Sequence, residues 1–250
     1  MPQRLKIIGN YVSPYVRKVL VCLEWKGLDY EIDPIAPFVG NDEFSRLSPL
    51  RRVPVLIDNA LVLNDSSVIC QYLEDKHPAP TLFPRDIAER AQARWLEEFA
   101  DTRLGEVVVW RLFYQLGVKR HLFHQETDHA VVAQAREVDV PEALDYLESQ
   151  LPDTGFVFGT PSIADITIAS FFRTAAFVRY VIDAERWPRC SALVKQTLAL
   201  PPFAKLARFE ECILRLPLAE QRAALLAAGA PLSNDTLGNT APRHAFGREA

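Results

Sequence analysis

Strand-like patterning stops near residue 78, and this break limits the possible folds more than any other feature of the chain. The segment PAPTLFPRD (78–86) places three prolines within seven positions. Proline removes a backbone donor and fixes φ, so neither a helix nor a central strand continues through it. Beyond it, long amphipathic stretches cover 86–121, 125–150, 162–181, 189–200 and 203–215, separated by Pro or Gly breaks. Pro141 falls inside the second stretch and predicts a kink or a split there. From Leu218 the stretch AEQRAALLAAG predicts a short helix, followed by a polar tail expected to be loosely ordered.

Before the break the periods are mixed. LKIIG (5–9) is a short apolar run ending in glycine, the pattern of a buried strand. From Pro14, apolar residues at Val16, Val19, Leu20 and Leu23 mark a helix face, with Gly27 closing it. LDYEIDPI alternates like a strand, and EFSRLSP is at most one short helical piece. VPVLIDNALVLN reads as two strands joined at Asp58–Asn59, and SSVICQYLEDKHP as a helix with Val68, Ile69, Tyr72 and Leu73 on one face. The order to residue 77 is β-α-β-α-β-β-α. A small α/β unit, a proline-rich linker and an all-helical unit predict two domains with a cleft between them.

With 250 residues, 49% of them apolar and 24% charged, the chain can fill two such cores. A net charge of −4 and no basic run longer than Arg51–Arg52 exclude an electrostatic footprint for nucleic acid. The first residues lack a signal-peptide pattern, and no apolar window is long enough for a membrane span. A cytoplasmic location is therefore expected. Cys22, Cys70, Cys190 and Cys212 show no metal or disulfide spacing and read as free buried thiols. His121, His124 and His129 lack the partners a metal site needs, so no metal is expected.

Three segments carry candidate chemistry. In NYVSPYVRKVL (10–20), Ser13–Pro14 is a favoured helix start, and a helix start also favours a bound anion such as a thiolate. In LSPLRRVPVLID, Val53–Pro54 enters a strand, where a cis bond would present the Val53 backbone to an extended ligand. In NDSSV (64–68), Ser66 is the expected N-cap of the following helix. The adjoining Asp65 and Ser66 would together suit an amino-acid moiety, which carries both charges.

In this order, SPYVRKV with a helix ending in KG, the VPVL block and the acid–Ser pair resemble the glutathione transferase superfamily. GTPSIADITIAS (159–170) is similar to that family's helical-domain signature, with Ser162 capping and Asp165 reaching back as folding residues. The resemblance spans residues 4–216 and is nearest to serine-type, tau- or theta-like members. It implies a thioredoxin-like N-terminal domain (1–79), a linker (80–88), an all-α C-terminal domain (89–216) and an extension (217–250).

It also implies that Ser13 donates a hydrogen bond to the glutathione thiolate. Val53, beside a cis Pro54, would pair with the cysteinyl part. Asp65 and Ser66 would hold the γ-glutamyl end, and Arg52 would meet a carboxylate. Arg51 and Arg52 stand where the family usually has Gly and Lys, and Asp65 where Glu is commoner. Tyr11 is the rival thiolate donor. No cysteine lies at 13, 14 or 15, which disfavours thiol–disulfide chemistry. Glutathione is the expected co-substrate, a small hydrophobic electrophile its partner, and a homodimer the expected assembly. A non-catalytic glutathione-binding module, or a glutathione-dependent lyase, isomerase or peroxidase, is the alternative.

Overall fold

The structure, a computed structural model, describes residues 5–238 and 241–243. It divides into two compact units. One is Met1–Pro80 together with Ala204–Ala250, and the other is Thr81–Phe203.

The first unit is built on a four-stranded sheet of order β2-β1-β3-β4. Its strands are β1 (Leu5–Ile8), β2 (Tyr30–Asp33), β3 (Val55–Asp58) and β4 (Leu61–Asn64). β1 and β2 are parallel, which requires a crossover, and helix α1 (Pro14–Trp25) supplies it. β3 runs antiparallel to β1, and β4 antiparallel to β3. The hairpin turn is Asn59–Ala60, one residue later than expected. Asn59 takes the left-handed conformation there (φ 56°), which asparagine tolerates. Helix α2 (Asp42–Leu47) is capped by the Asn41 side chain, and α3 (Ser66–Lys76) packs on α1.

In the second unit Ile87–Phe99, Ala100–Val118 and Lys119–His121 run on as one helix, α4, whose middle part is wound as a π-helix. Helix α5 joins His129–Gln134, Ala135–Asp139 and Val140–Gln150, so of the kink or split expected at Pro141 the split does not occur. The Val140 N–H bonds to Ala135, five residues back, so the chain is already wound wide where Pro141 enters without a donor. Helix α6 (Ile163–Phe177) is buried along most of its length. Asp165 accepts from the Ser162 N–H (2.8 Å), the Ser162 hydroxyl (2.6 Å) and the Val157 N–H (2.9 Å). These two residues therefore hold the helix start, as the sequence predicts. Phe171 is fully buried, and the Phe113 and Phe177 rings meet in a tilted arrangement with centroids 6.3 Å apart. Helix α7 is Pro188–Leu198.

Helix α8 (Pro201–Ile213) leads into α9 (Leu218–Ala227), the short helix expected from AEQRAALLAAG. The tail after it departs from the expectation of loose order. The Ile32 N–H bonds to Pro231 (2.8 Å) and the Ser233 N–H to Ile32 (3.0 Å), so the chain adds itself to the open edge of β2. Leu237 enters the core formed by Ile8, Ile35, Phe44 and Val55. An edge strand presents unpaired backbone groups, and here the tail pairs with some of them. Residues 239–240 and 244–250 of the extension lie outside the described residues.

Candidate active site

The strand register gathers the three candidate segments at one end of the sheet. Ile8 lies opposite Val55, and Val55 opposite Asn64. The turn after β1, the Val53–Pro54 pair before β3 and the Asp65–Ser66 pair after β4 therefore emerge side by side. Gly9 is required at this junction. A Cβ on it would lie 2.5 Å from Val16 Cγ2 and 3.2 Å from Val53 Cβ, and its φ of 152° disfavours other residues.

Ser13 is the N-cap of α1, with extended backbone, and its Oγ accepts from the Val16 N–H at 3.4 Å. A hydroxyl that accepts in this way still has its own hydrogen to donate. Among the described residues no acceptor takes that hydrogen. The side chain is half-buried, and the first turn of α1 carries no acidic residue to oppose an anion. Cap and donor are thus compatible roles for one serine.

The turn that presents Ser13 is held from several sides. The Ser13 N–H bonds to the Asn10 carbonyl (3.1 Å), and the Val12 N–H to Asn10 Oδ1 (3.0 Å). Arg17, buried in α1, donates from Nη2 to the Tyr11 and Val12 carbonyls (3.4 Å each) and pairs through Nε with Glu210 of α8. Both side chains of that ion pair are 1% exposed. Tyr11 itself turns inward, against Phe209 at 5.1 Å. It is 1% exposed, and burial above all raises its pKa well beyond the ordinary tyrosine range. A phenol in that position is a poor anion and is closed off from a ligand.

Val53–Pro54 is a cis peptide bond. Val53 is half-buried, and among the described residues no hydrogen bond engages its N–H or C=O. The loop before it is set by Ser48, which sequence reasoning passed over. Its hydroxyl accepts from the Arg52 N–H (2.9 Å) and donates to the Arg52 carbonyl (2.8 Å). The two arginines part company here. Arg51 is buried, takes φ 49°, donates to the Pro37 (3.1 Å) and Gly40 (2.9 Å) carbonyls and lies over the Phe44 ring. Arg52 is exposed.

The N-cap of α3 is Asp65, not Ser66 as the sequence reading had it. Asp65 accepts from the Ser67 (2.9 Å) and Val68 (3.2 Å) N–H groups. Its longer reach from a non-helical backbone at φ 76° lets it serve both donors, and Ser66 becomes the buried first residue of the helix. A non-glycine residue with this backbone is strained, a condition found more often at functional positions. Lys18, buried in α1, donates to Ser67 Oγ at 3.0 Å and ties the starts of the two helices together.

None of the four cysteines forms a disulfide. Cys22 and Cys70, far apart in sequence, meet at 3.4 Å between α1 and α3. Among the described residues no three His, Cys, Asp or Glu side chains converge as a metal site would, and no helix is long and apolar enough to cross a membrane.

An α/β unit that brings a helix-start serine, a cis-proline loop and a strained acid–Ser pair to one sheet end, followed by a helical unit, defines the glutathione-transferase type of protein. Residues 7–81 match the family model for the glutathione S-transferase N-terminal domain, and residues 130–196 match that for the C-terminal domain. Glutathione S-transferase U8 of Arabidopsis thaliana is 30% identical over 182 residues, 68% of this chain and 70% of that protein. Maleylacetoacetate isomerase of Rattus norvegicus is 28% identical over 194 residues, 74% of this chain and 84% of that protein. Among solved structures, a glutathione S-transferase from Methylobacterium radiotolerans in complex with glutathione sulfonate is 28% identical, with a TM-score of 0.67 over 81% of this chain and 93% of that one. The chain belongs to the glutathione S-transferase superfamily.

Proposed function

We propose that the protein is a glutathione transferase that binds glutathione at this sheet end and holds its sulfur as thiolate for attack on a hydrophobic electrophile. One observation carries the reading. The Ser13 oxygen is occupied as a cap while its hydrogen stays available, at the positive end of α1. In this reading the Ser13 hydroxyl donates to the sulfur. A hydrogen bond to a charged acceptor is worth about 1.5–3 kcal/mol. At about 1.4 kcal/mol per unit, it lowers the thiol pKa by roughly one to two units.

The remaining residues bind and orient. The Val53 N–H and C=O pair with the cysteinyl backbone, beside Pro54, as an added strand would. Ser66 and the strained Asp65 take the γ-glutamyl carboxylate and ammonium. The exposed Arg52 guanidinium meets a carboxylate, which it can do in bidentate fashion. The thiol proton leaves to solvent, the sulfur bonds to the electrophilic carbon and the leaving group departs with the electron pair. No metal takes part in this scheme. The reading places the protein in the cytoplasm as a homodimer.

A second reading is supported by the relationship to the rat maleylacetoacetate isomerase. The same thiolate can add to an unsaturated acid, allow rotation about the bond and leave again, so that glutathione is not consumed. One assay separates the two. Conjugation of an activated aryl halide consumes glutathione mole for mole. Isomerisation of a cis unsaturated diketo acid leaves the free thiol concentration constant. Failure of the protein to bind glutathione at millimolar concentration in calorimetry would overturn both.

A further inference from the structure

We infer that Asn10 is a positioning residue for Ser13, and that Gln221 of α9 sets it, so that the C-terminal segment tunes the thiolate site. The inference rests on the role of Ser13 proposed above.

Asn10 is 5% exposed, and a buried amide is costly unless its polar atoms are bonded. Each of them has a partner. Its carbonyl accepts from the Ser13 N–H and its Oδ1 from the Val12 N–H at 3.0 Å. Since Oδ1 is thereby identified as the acceptor, Nδ2 must donate. It faces two acceptors, the Pro34 carbonyl at 3.4 Å and Gln221 Oε1 at 3.3 Å. The orientation of Gln221 is fixed by the same reasoning. Its Nε2 faces the carbonyls of Ile213 (3.4 Å) and Leu216 (3.0 Å), which can only accept, so Oε1 is the atom left for Asn10. One chain of hydrogen bonds thus runs from the end of α8, through Gln221 and Asn10, to the backbone of Val12 and Ser13.

The far end of this chain is anchored as well. The neighbouring Arg222 donates to the Ser233 carbonyl and to Asp33 Oδ1 (3.4 Å), and Ser233 is the residue that pairs with Ile32. The tail on the β2 edge therefore holds α9 in place, and α9 holds the turn that aims Ser13. The expected effect of loosening the link is on the direction of the Ser13 hydroxyl, hence on thiol ionisation, and not on the groups that bind the rest of glutathione.

Gln221→Met keeps the side-chain length and removes its hydrogen bonds. It is compared in the full-length chain with wild type, Ser13→Ala and the double variant. Two quantities are read: hydrogen exchange of the Val12 and Ser13 amides, and the pH midpoint of thiol ionisation of bound glutathione. Gln221→Met is expected to speed the exchange about fivefold, the effect of one neutral hydrogen bond. It is also expected to raise the midpoint, without a further rise when Ser13 is already alanine, and to leave the glutathione dissociation constant, measured at a pH below both midpoints, within twofold. Unchanged exchange overturns the coupling. Faster exchange with an unmoved midpoint, where Ser13→Ala does move it, overturns the positioning role and leaves the Ser13 reading intact. No shift in Ser13→Ala itself removes that reading and this inference together. If Gln221→Met does not fold, Gln221→Ala is read by the same two measurements.

Discussion

Gly9 sits so close to Val53 that a single added carbon would be 3.2 Å from the valine Cβ and 2.5 Å from Val16 Cγ2. The end of β1 and the cis-proline loop therefore meet through a missing side chain. Gly9→Ala must push a stiff β-branched residue aside and also adopt an unfavourable φ. A loss of about 1–3 kcal/mol is expected from overpacking. Urea denaturation should show it, together with weaker glutathione binding as Val53 shifts.

Arg17 and Glu210 form an ion pair with both side chains 1% exposed. Removing one partner leaves the other charge out of water. Glu210→Ala is expected to cost about 3–5 kcal/mol in chemical denaturation. Arg17 also holds the Tyr11 and Val12 carbonyls, so the same variant should disturb the Ser13 turn. A loss under about 1 kcal/mol would show that the pair is solvated in solution.

Asp33 is fully buried, and burial is the foremost cause of a pKa above its ordinary 3.8. The folded state thus holds this proton more tightly than the unfolded chain does. The stability it contributes is fully present below the unfolded value and is lost as pH rises through the folded value. Asp33→Asn removes the titration, so its urea midpoint should gain on wild type as pH climbs from 3.8 through that window. A wild-type minus variant difference that does not change with pH would contradict this.

The Tyr11 hydroxyl is buried and, among the described residues, has no hydrogen-bond partner. An unmade bond of that kind costs about 1–3 kcal/mol. Tyr11→Phe should therefore leave glutathione turnover unchanged and hold or raise the melting temperature. A large fall in turnover would restore Tyr11 as thiolate donor.

Local signals in the sequence were enough for the elements that carry the site. Alternation marked β2, apolar spacing marked α1, and Ser13–Pro14 and Val53–Pro54 stood where the structure puts a helix cap and a cis bond. Asp65 displaced Ser66 as cap because two adjacent residue types both suit that role, and the backbone at φ 76° decides between them. Arg51 reads as a surface cation. Its burial depends on the Pro37 and Gly40 carbonyls and on the Phe44 ring, residues brought together only by the folded loop. The tail looked unstructured because its pairing partner, Ile32, is some 200 positions away and leaves no mark on local pattern. Gln221 was hidden for the same reason.

The central claim is that the Ser13 hydroxyl holds glutathione as thiolate, and the ultraviolet absorbance of the bound thiolate, titrated against pH, tests it most directly. Wild type should ionise the bound thiol well below the free value of about 8.5. Ser13→Ala should still bind glutathione but ionise it roughly one to two units higher, with turnover falling in step. An identical titration in the two proteins, with unchanged turnover, would contradict the account.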